Sequence, residues 1–243
     1  MQNRYTGDIG DFGKLGLLRA LKNAELSIGV NWYLVPDENH NSDGRYVQYL
    51  ETEDLRCCDE DLWLELKHIV STGQRAVASL EKESILRARV YFAPLDYSNK
   101  SRSERTVLRE KWHQEALRFL SGLDVVFVDP DNGLLVKSAK DTLKENKYVR
   151  TEELADYYKQ GSSVIYYQHK ARRADLFYTA QHRELVKEIG KGDASSFGLK
   201  FTKTSLRYYF FIVQPKHKDV ISGTLQKMLS TEWGSCFIDV YKE

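Results

Sequence analysis

This chain of 243 residues has little cysteine, little proline, no excess charge of one sign and no long apolar run. Each shortage excludes something. No stretch approaches the roughly 20 apolar residues of a membrane-spanning helix, so no membrane partner is expected. The first residues, Met1-Gln2-Asn3-Arg4-Tyr5, lack the apolar core of a secretion signal. Of the three cysteines, Cys57 and Cys58 are adjacent and Cys236 is remote, which leaves neither a disulfide framework nor a CxxC metal site. A reduced, cytoplasmic setting is the expectation. Thirty-six basic against 35 acidic side chains give a net charge of +1, so any nucleic-acid partner must be held by a local patch. The sequence also lacks GxGxxG, a P-loop GK[ST], and any readable Ser-His-Asp or Cys-His arrangement. It leaves the oligomeric state open.

What the chain has is a globular composition, 42% hydrophobic and 12% aromatic, with enough residues to bury a full core. All four prolines, Pro36, Pro94, Pro130 and Pro215, come directly after strand-like runs. Strands alternate with helices over most of the length. That rhythm predicts an α/β fold, a Rossmann-like and mainly parallel sheet with helices on both faces. Residues 1–243 read as one α/β domain, with 46–86 readable as a helical insertion.

The most informative stretch is Val125-Val126-Phe127-Val128-Asp129-Pro130-Asp131-Asn132-Gly133. Its apolar half predicts a central strand buried on both faces. Pro130 cannot donate to a ladder and Asn132-Gly133 is a turn signal. Two carboxylates and an amide are thereby held at the carboxyl end of a strand, the edge where open α/β sheets bind ligands. The same edge is predicted to gather Asp37, Gln168 and His169. Near the N-terminus, Gly7, Gly10, Gly13 and Gly16 recur at spacing three in a segment otherwise patterned as a helix, with Asp11 as its expected N-cap. Each glycine costs up to about 1 kcal/mol against alanine, so close approach of a ligand or a neighbouring strand is expected there. Further helices are predicted near 104–120, 173–189 and 217–230, and strands near 197–203 and 206–213. His113 is expected at the surface or rim, and 134–150 reads as a basic, mobile connection.

These residues resemble a known family. The element order, the acid-proline motif at a strand end and the late antiparallel strand are similar to class I S-adenosylmethionine-dependent methyltransferases. More narrowly, Gly7-Asp8-Ile9-Gly10-Asp11-Phe12-Gly13-Lys14 resembles the GNxADxxK segment of the bacterial 23S ribosomal-RNA adenine-N6 methyltransferases of the J type. The resemblance implies that Lys14 is an active-site lysine and that Asp129-Pro130-Asp131-Asn132 stands where that family has DPPY, with Asp129 the catalytic acid. It implies a cofactor loop at Asp37, His40, Gly44 and Tyr46, with Gly7, Asp8 and Asp11 beside it. The chain departs from the family in having Asp131 and Asn132 instead of the proline and tyrosine that grip a flipped adenine, and Asn41-Ser42 where a compact glycine turn is usual. It also resembles bacterial proteins that begin NRYxGDxGDF and contain DPDNG, a likeness that brings no activity with it.

Three functions follow as expectations. The first is methyl transfer from S-adenosylmethionine to an amine, on nucleic acid or a small molecule. Gln168, His169, Arg172 and Arg173 would then contact substrate, and Lys170, Arg183, Phe177 and Tyr178 would offer charge and stacking. The second is Mg²⁺-dependent hydrolysis, in which Asp129 and Asp131 serve as hard oxygen ligands. The third is a non-catalytic binding module on the same fold. Either chemistry requires Lys14 and Asp129 to meet in one cleft. Asp129→Asn is expected to abolish activity at little cost in stability.

Overall fold

The computed structural model describes residues 1–38, 44–82, 85–204 and 206–242. Strands β1 (Ile28–Asn31), β2 (Arg89–Tyr91), β3 (Val125–Val128), β6 (Ser163–His169), β7 (Ser195–Phe201), β8 (Arg207–Val213) and β9 (Phe237–Asp239) form a seven-stranded sheet in the order β2-β1-β3-β6-β8-β7-β9. Two short strands, β4 (Gly133–Leu134) and β5 (Tyr148–Val149), pair with each other in parallel. In the main sheet β2, β1, β3, β6 and β7 run one way, while β8 and β9 run against them. The sheet is therefore mixed, parallel through β6 and antiparallel beyond it.

Helices α1 (Ile9–Asn23), α2 (Glu60–Ser71) and α6 (Lys218–Leu229) cover one face. Helices α3 (Arg102–Phe119), α4 (Thr151–Lys159) and α5 (Asp175–Gly190) cover the other. Strand alternation divides the core accordingly. Val125 and Phe127 of β3, with Tyr209 and Phe211 of β8, pack under Phe12, Leu15, Leu66 and Leu225. Val126, Val128, Tyr208 and Phe210 pack against Trp112, Tyr157 and Tyr178. All four residues of β3 are fully buried, which explains its unbroken apolar run. Full burial of each such side chain stabilises the fold by roughly 1.5–3 kcal/mol.

Several local expectations change. The N-cap of α1 is Asp8, whose carboxylate accepts from the Asp11 N–H, and Asp11 lies in the first turn. The glycines of α1 are there for packing. A Cβ on Gly13 would stand 2.5 Å from Phe201 and one on Gly16 would stand 2.3 Å from Trp233. Within 46–86 the regular helix is α2, preceded and followed by short 3₁₀ turns. The 134–150 connection is anchored, with Glu145 and Asn146 buried. His113 is buried too, and its Nε2 lies 3.1 Å from Asp156. None of the described helices is long and apolar enough to cross a membrane.

Candidate functional site

The chain leaves β1 for β2 on one side, then crosses to β3 on the other side of β1. This reversal opens a crevice outside the carboxyl ends of β1 and β3, the usual ligand position in such sheets. A cleft of about 350 Å³ lies there, within the range of small-molecule sites. Its lining includes Asp8, Asp11, Lys14, Asp129, Asn132 and Arg207.

Asp129 is the first residue after β3, and its N–H still donates to the Asn31 carbonyl at 2.9 Å. The side chain is thus fixed to a rigid strand end. Lys14 lies one turn into α1, three residues after Asp11. Its ammonium donates to Asp129 Oδ2 at 2.8 Å and to Asp11 Oδ1 at 2.9 Å, and lies 4.8 Å from the centre of the Trp32 ring. All three charged groups are almost completely buried. Burial opposes the ammonium, but the Asp11 and Asp129 carboxylates more than offset it and push the Lys14 pKa up. Burial also raises the Asp129 carboxyl, and Lys14 only partly reverses that shift. The Asp8 carboxyl is pushed up to about 6, chiefly by burial and then by the Asp11 charge. The Lys14 ammonium thus pairs with Asp11 and Asp129, while the Arg207 charge acts on Asp8 more strongly than Lys14 does.

The turn after Asp129 is held by the chain itself. Asp131 accepts from Gln2 Nε2 at 2.7 Å and forms an ion pair with the Met1 amine. Gln168 Oε1 accepts from the Leu134 N–H at 2.9 Å, while its Nε2 donates to the carbonyls of Asn132 at 3.2 Å and His169 at 3.0 Å. Gly133 has φ of 111°, and a Cβ there would stand 2.3 Å from Gln168 Oε1. Gln168 is consequently a staple for the turn.

The structure brings together most of the residues singled out in the sequence. Asp8, Asp11, Lys14, Gly44, Tyr46, Asp129, Asp131, Asn132 and His169 all line the cleft. Gly7 is buried against Val70, and its N–H donates to Asp11 Oδ2 at 3.1 Å. Asp37 points to solvent and accepts from the Arg4 N–H at 3.3 Å. Arg172 and Arg173 are exposed between β6 and α5, where the Arg173 guanidinium lies 5.5 Å from the Phe177 ring centre. Neither Asp37 nor these arginines lines the cleft. His40 lies outside the described residues.

Sequence reading misses Tyr5, Tyr167 and Arg207. Arg207 starts β8, and because β8 runs antiparallel its beginning reaches the edge where β3 and β6 end. It is buried against Gly10, whose missing Cβ would fall 1.4 Å from Arg207 Nη1. The available signal is a charged residue abutting the wholly apolar run Tyr208–Val213.

A second polar cluster occupies the opposite edge. Ser163 Oγ lies 2.9 Å from His217 Nδ1, and His217 Nε2 lies 3.2 Å from Asp124 Oδ1. This Ser-His-Asp sequence of contacts is not set up for catalysis. Ser163 is wholly buried and its Oγ also accepts the Gln214 N–H at 3.0 Å, so it cannot reach a substrate. The cluster ties together the starts of β3, β6 and α6.

Among the described residues no three His, Cys, Asp or Glu side chains are grouped to hold a metal ion. The space between Asp11 and Asp129 is bridged by the Lys14 ammonium. No protein-family model and no curated protein matches the chain.

Proposed function

We propose that the chain is an S-adenosylmethionine-dependent methyltransferase acting on an amine, with nucleic acid as the favoured source of that amine. The observation that carries the proposal is the buried Lys14–Asp129 pair lining the switch-point cleft. The donor set suits the cofactor's chemistry. S-adenosylmethionine has a carboxylate, an ammonium, a sulfonium and a flat adenine, and the cleft offers cations, carboxylates and aromatic rings. Asp8, Asp11, Gly44 and Tyr46 would hold it, with Lys14 or Arg207 near its carboxylate. When bound, it supplies an electrophilic methyl group. Asp129 would accept a hydrogen bond from the substrate amine and orient its lone pair, while Lys14 keeps the carboxylate charged. Asp129, already bonded to the amine N–H, would take up the proton that the amine loses.

The Mg²⁺ reading is less well supported, because of the two acids it needs Asp129 already pairs with the Lys14 ammonium, and Asp131 with the Met1 amine and the Gln2 amide.

The test is transfer of a labelled methyl group to unmodified ribosomal RNA and to DNA. Wild-type chain should label at least one of them, Asp129→Asn should label neither, and Asp131→Asn should retain partial activity because asparagine still accepts from Gln2. Failure of wild type to label either polymer or a mixture of small amines, combined with Mg²⁺-dependent phosphodiester cleavage, would overturn the proposal.

A further inference from the structure

The two cysteines that are remote in sequence meet in the fold. Cys58 ends a 3₁₀ turn, Arg56–Cys58, just before α2, and Cys236 follows the turn Glu232–Ser235 just before β9. Their Sγ atoms lie 4.0 Å apart, although 178 residues separate them. A disulfide would bring the two sulfurs from that separation to ~2 Å.

Both backbones are pinned. The Cys236 carbonyl accepts from the Thr202 N–H at 2.9 Å and from its hydroxyl at 3.1 Å. Asp59, beside Cys58, caps α2 and binds the Arg19 guanidinium at 2.7 Å. Cys236 is fully buried, Cys58 half-buried and Cys57 exposed, so an oxidant reaches the pair from the Cys58 side.

We propose that Cys58 and Cys236 are a redox-modification site, which an oxidant of the peroxide class converts reversibly into a disulfide. Peroxide oxidises the Cys58 thiol to a sulfenic acid and releases one water. The Cys236 sulfur then attacks that sulfur, the S–S bond forms, and the sulfenic oxygen leaves as a second water. The two thiols lose two electrons and two hydrogens, and the peroxide gains both.

The consequence falls on α1. Trp233 packs on Phe12, with ring centres 4.9 Å apart, and fills the space above Gly16. A bond at Cys236 would clamp the turn that carries Trp233 against the turn that leads into α2, behind the helix bearing Asp11 and Lys14. This inference is independent of what the cleft binds.

The test treats the folded full chain with hydrogen peroxide, blocks free thiols, and maps cross-linked peptides by mass spectrometry beside a thermal melt. The expected product joins Cys58 to Cys236, forms equally in Cys57→Ser, is lost in Cys58→Ser and in Cys236→Ser, raises Tm, and reverts with dithiothreitol. A Cys57–Cys58 product, sulfinic acid without a cross-link, or a cross-link that leaves Tm unchanged or lowers it would overturn the proposal.

Discussion

Replacing Lys14 by methionine should strand two buried carboxylates. The substitution keeps most of the side-chain volume, so the deficit reports charge more than packing. Asp11 and Asp129 are 1% and 3% exposed, and the ammonium contacts both within 2.9 Å. Removing one member of a buried pair costs about 3–5 kcal/mol, because the remaining charge has lost its partner without regaining water. For a chain of this size that lowers Tm by roughly 6–20 °C. The loss should be smaller at pH 5 than at pH 8, since stranded carboxyls take up protons as pH falls. Adding Asp129→Asn to Lys14→Met should recover part of the loss by removing one stranded charge. Asp129→Asn alone leaves Lys14 on Asp11 and should cost about 1–3 kcal/mol. That is more than expected of a carboxylate facing open solvent, because Asp129 is buried. Urea denaturation of the four proteins measures the cycle. A Lys14→Met cost under ~1 kcal/mol, or a double mutant as unstable as the sum of the singles, would refute the buried charge cluster.

Other expectations are simpler to check. Folded Asp8 holds its proton more tightly than unfolded Asp8, so its contribution is present near pH 4 and lost as pH rises through about 6, by at most ~3 kcal/mol. Asp8→Asn keeps an N-cap and should flatten that fall in melts between pH 4 and 7. Glu153, held down to about 2 by Arg109 despite burial, acts oppositely and loses its contribution as pH drops from the ordinary glutamate range toward 2. Arg109→Met should therefore be most damaging at neutral pH, by about 3–5 kcal/mol, and less so in acid. Gln168→Leu removes three hydrogen bonds from the turn after Asp129 and should cost about 2–4 kcal/mol, seen as faster amide exchange at Asn132 and Leu134. Ser163→Ala should lower stability without changing any hydrolysis of nitrophenyl acetate.

The frame of the site was legible because its signals are local. A four-residue apolar run followed by Asp-Pro can only be a buried strand that stops, and glycines every third residue in a helix demand close neighbours. These signals place Asp129 and the glycine-rich segment at one edge, the family resemblance adds Lys14 to that cleft, and Lys14 and Asp129 touch. What was not legible depends on pairing and direction. Nothing in Tyr208–Val213 says that this strand runs antiparallel, so the arrival of Arg207 at the ligand edge stays hidden. The same is true of Arg109, which looks like one more charge on a polar helix until Glu153 meets it from α4 at 2.6 Å. Gln168 was assigned toward substrate, yet its amide faces the backbone of the adjoining turn. Asp37 does not reach the cleft because β1 ends at Asn31, which leaves the five residues Trp32 to Pro36 of irregular chain to carry it outward.

The central claim is that the crevice around Lys14 and Asp129 binds S-adenosylmethionine, and isothermal calorimetry with S-adenosylhomocysteine tests it most directly. The account predicts one site per chain, unaffected by Mg²⁺, and weakened at least tenfold by Lys14→Met at a temperature where that variant remains folded, a change of about 1.4 kcal/mol. No heat with the nucleoside together with saturable Mg²⁺ binding that Asp129→Asn abolishes would contradict it.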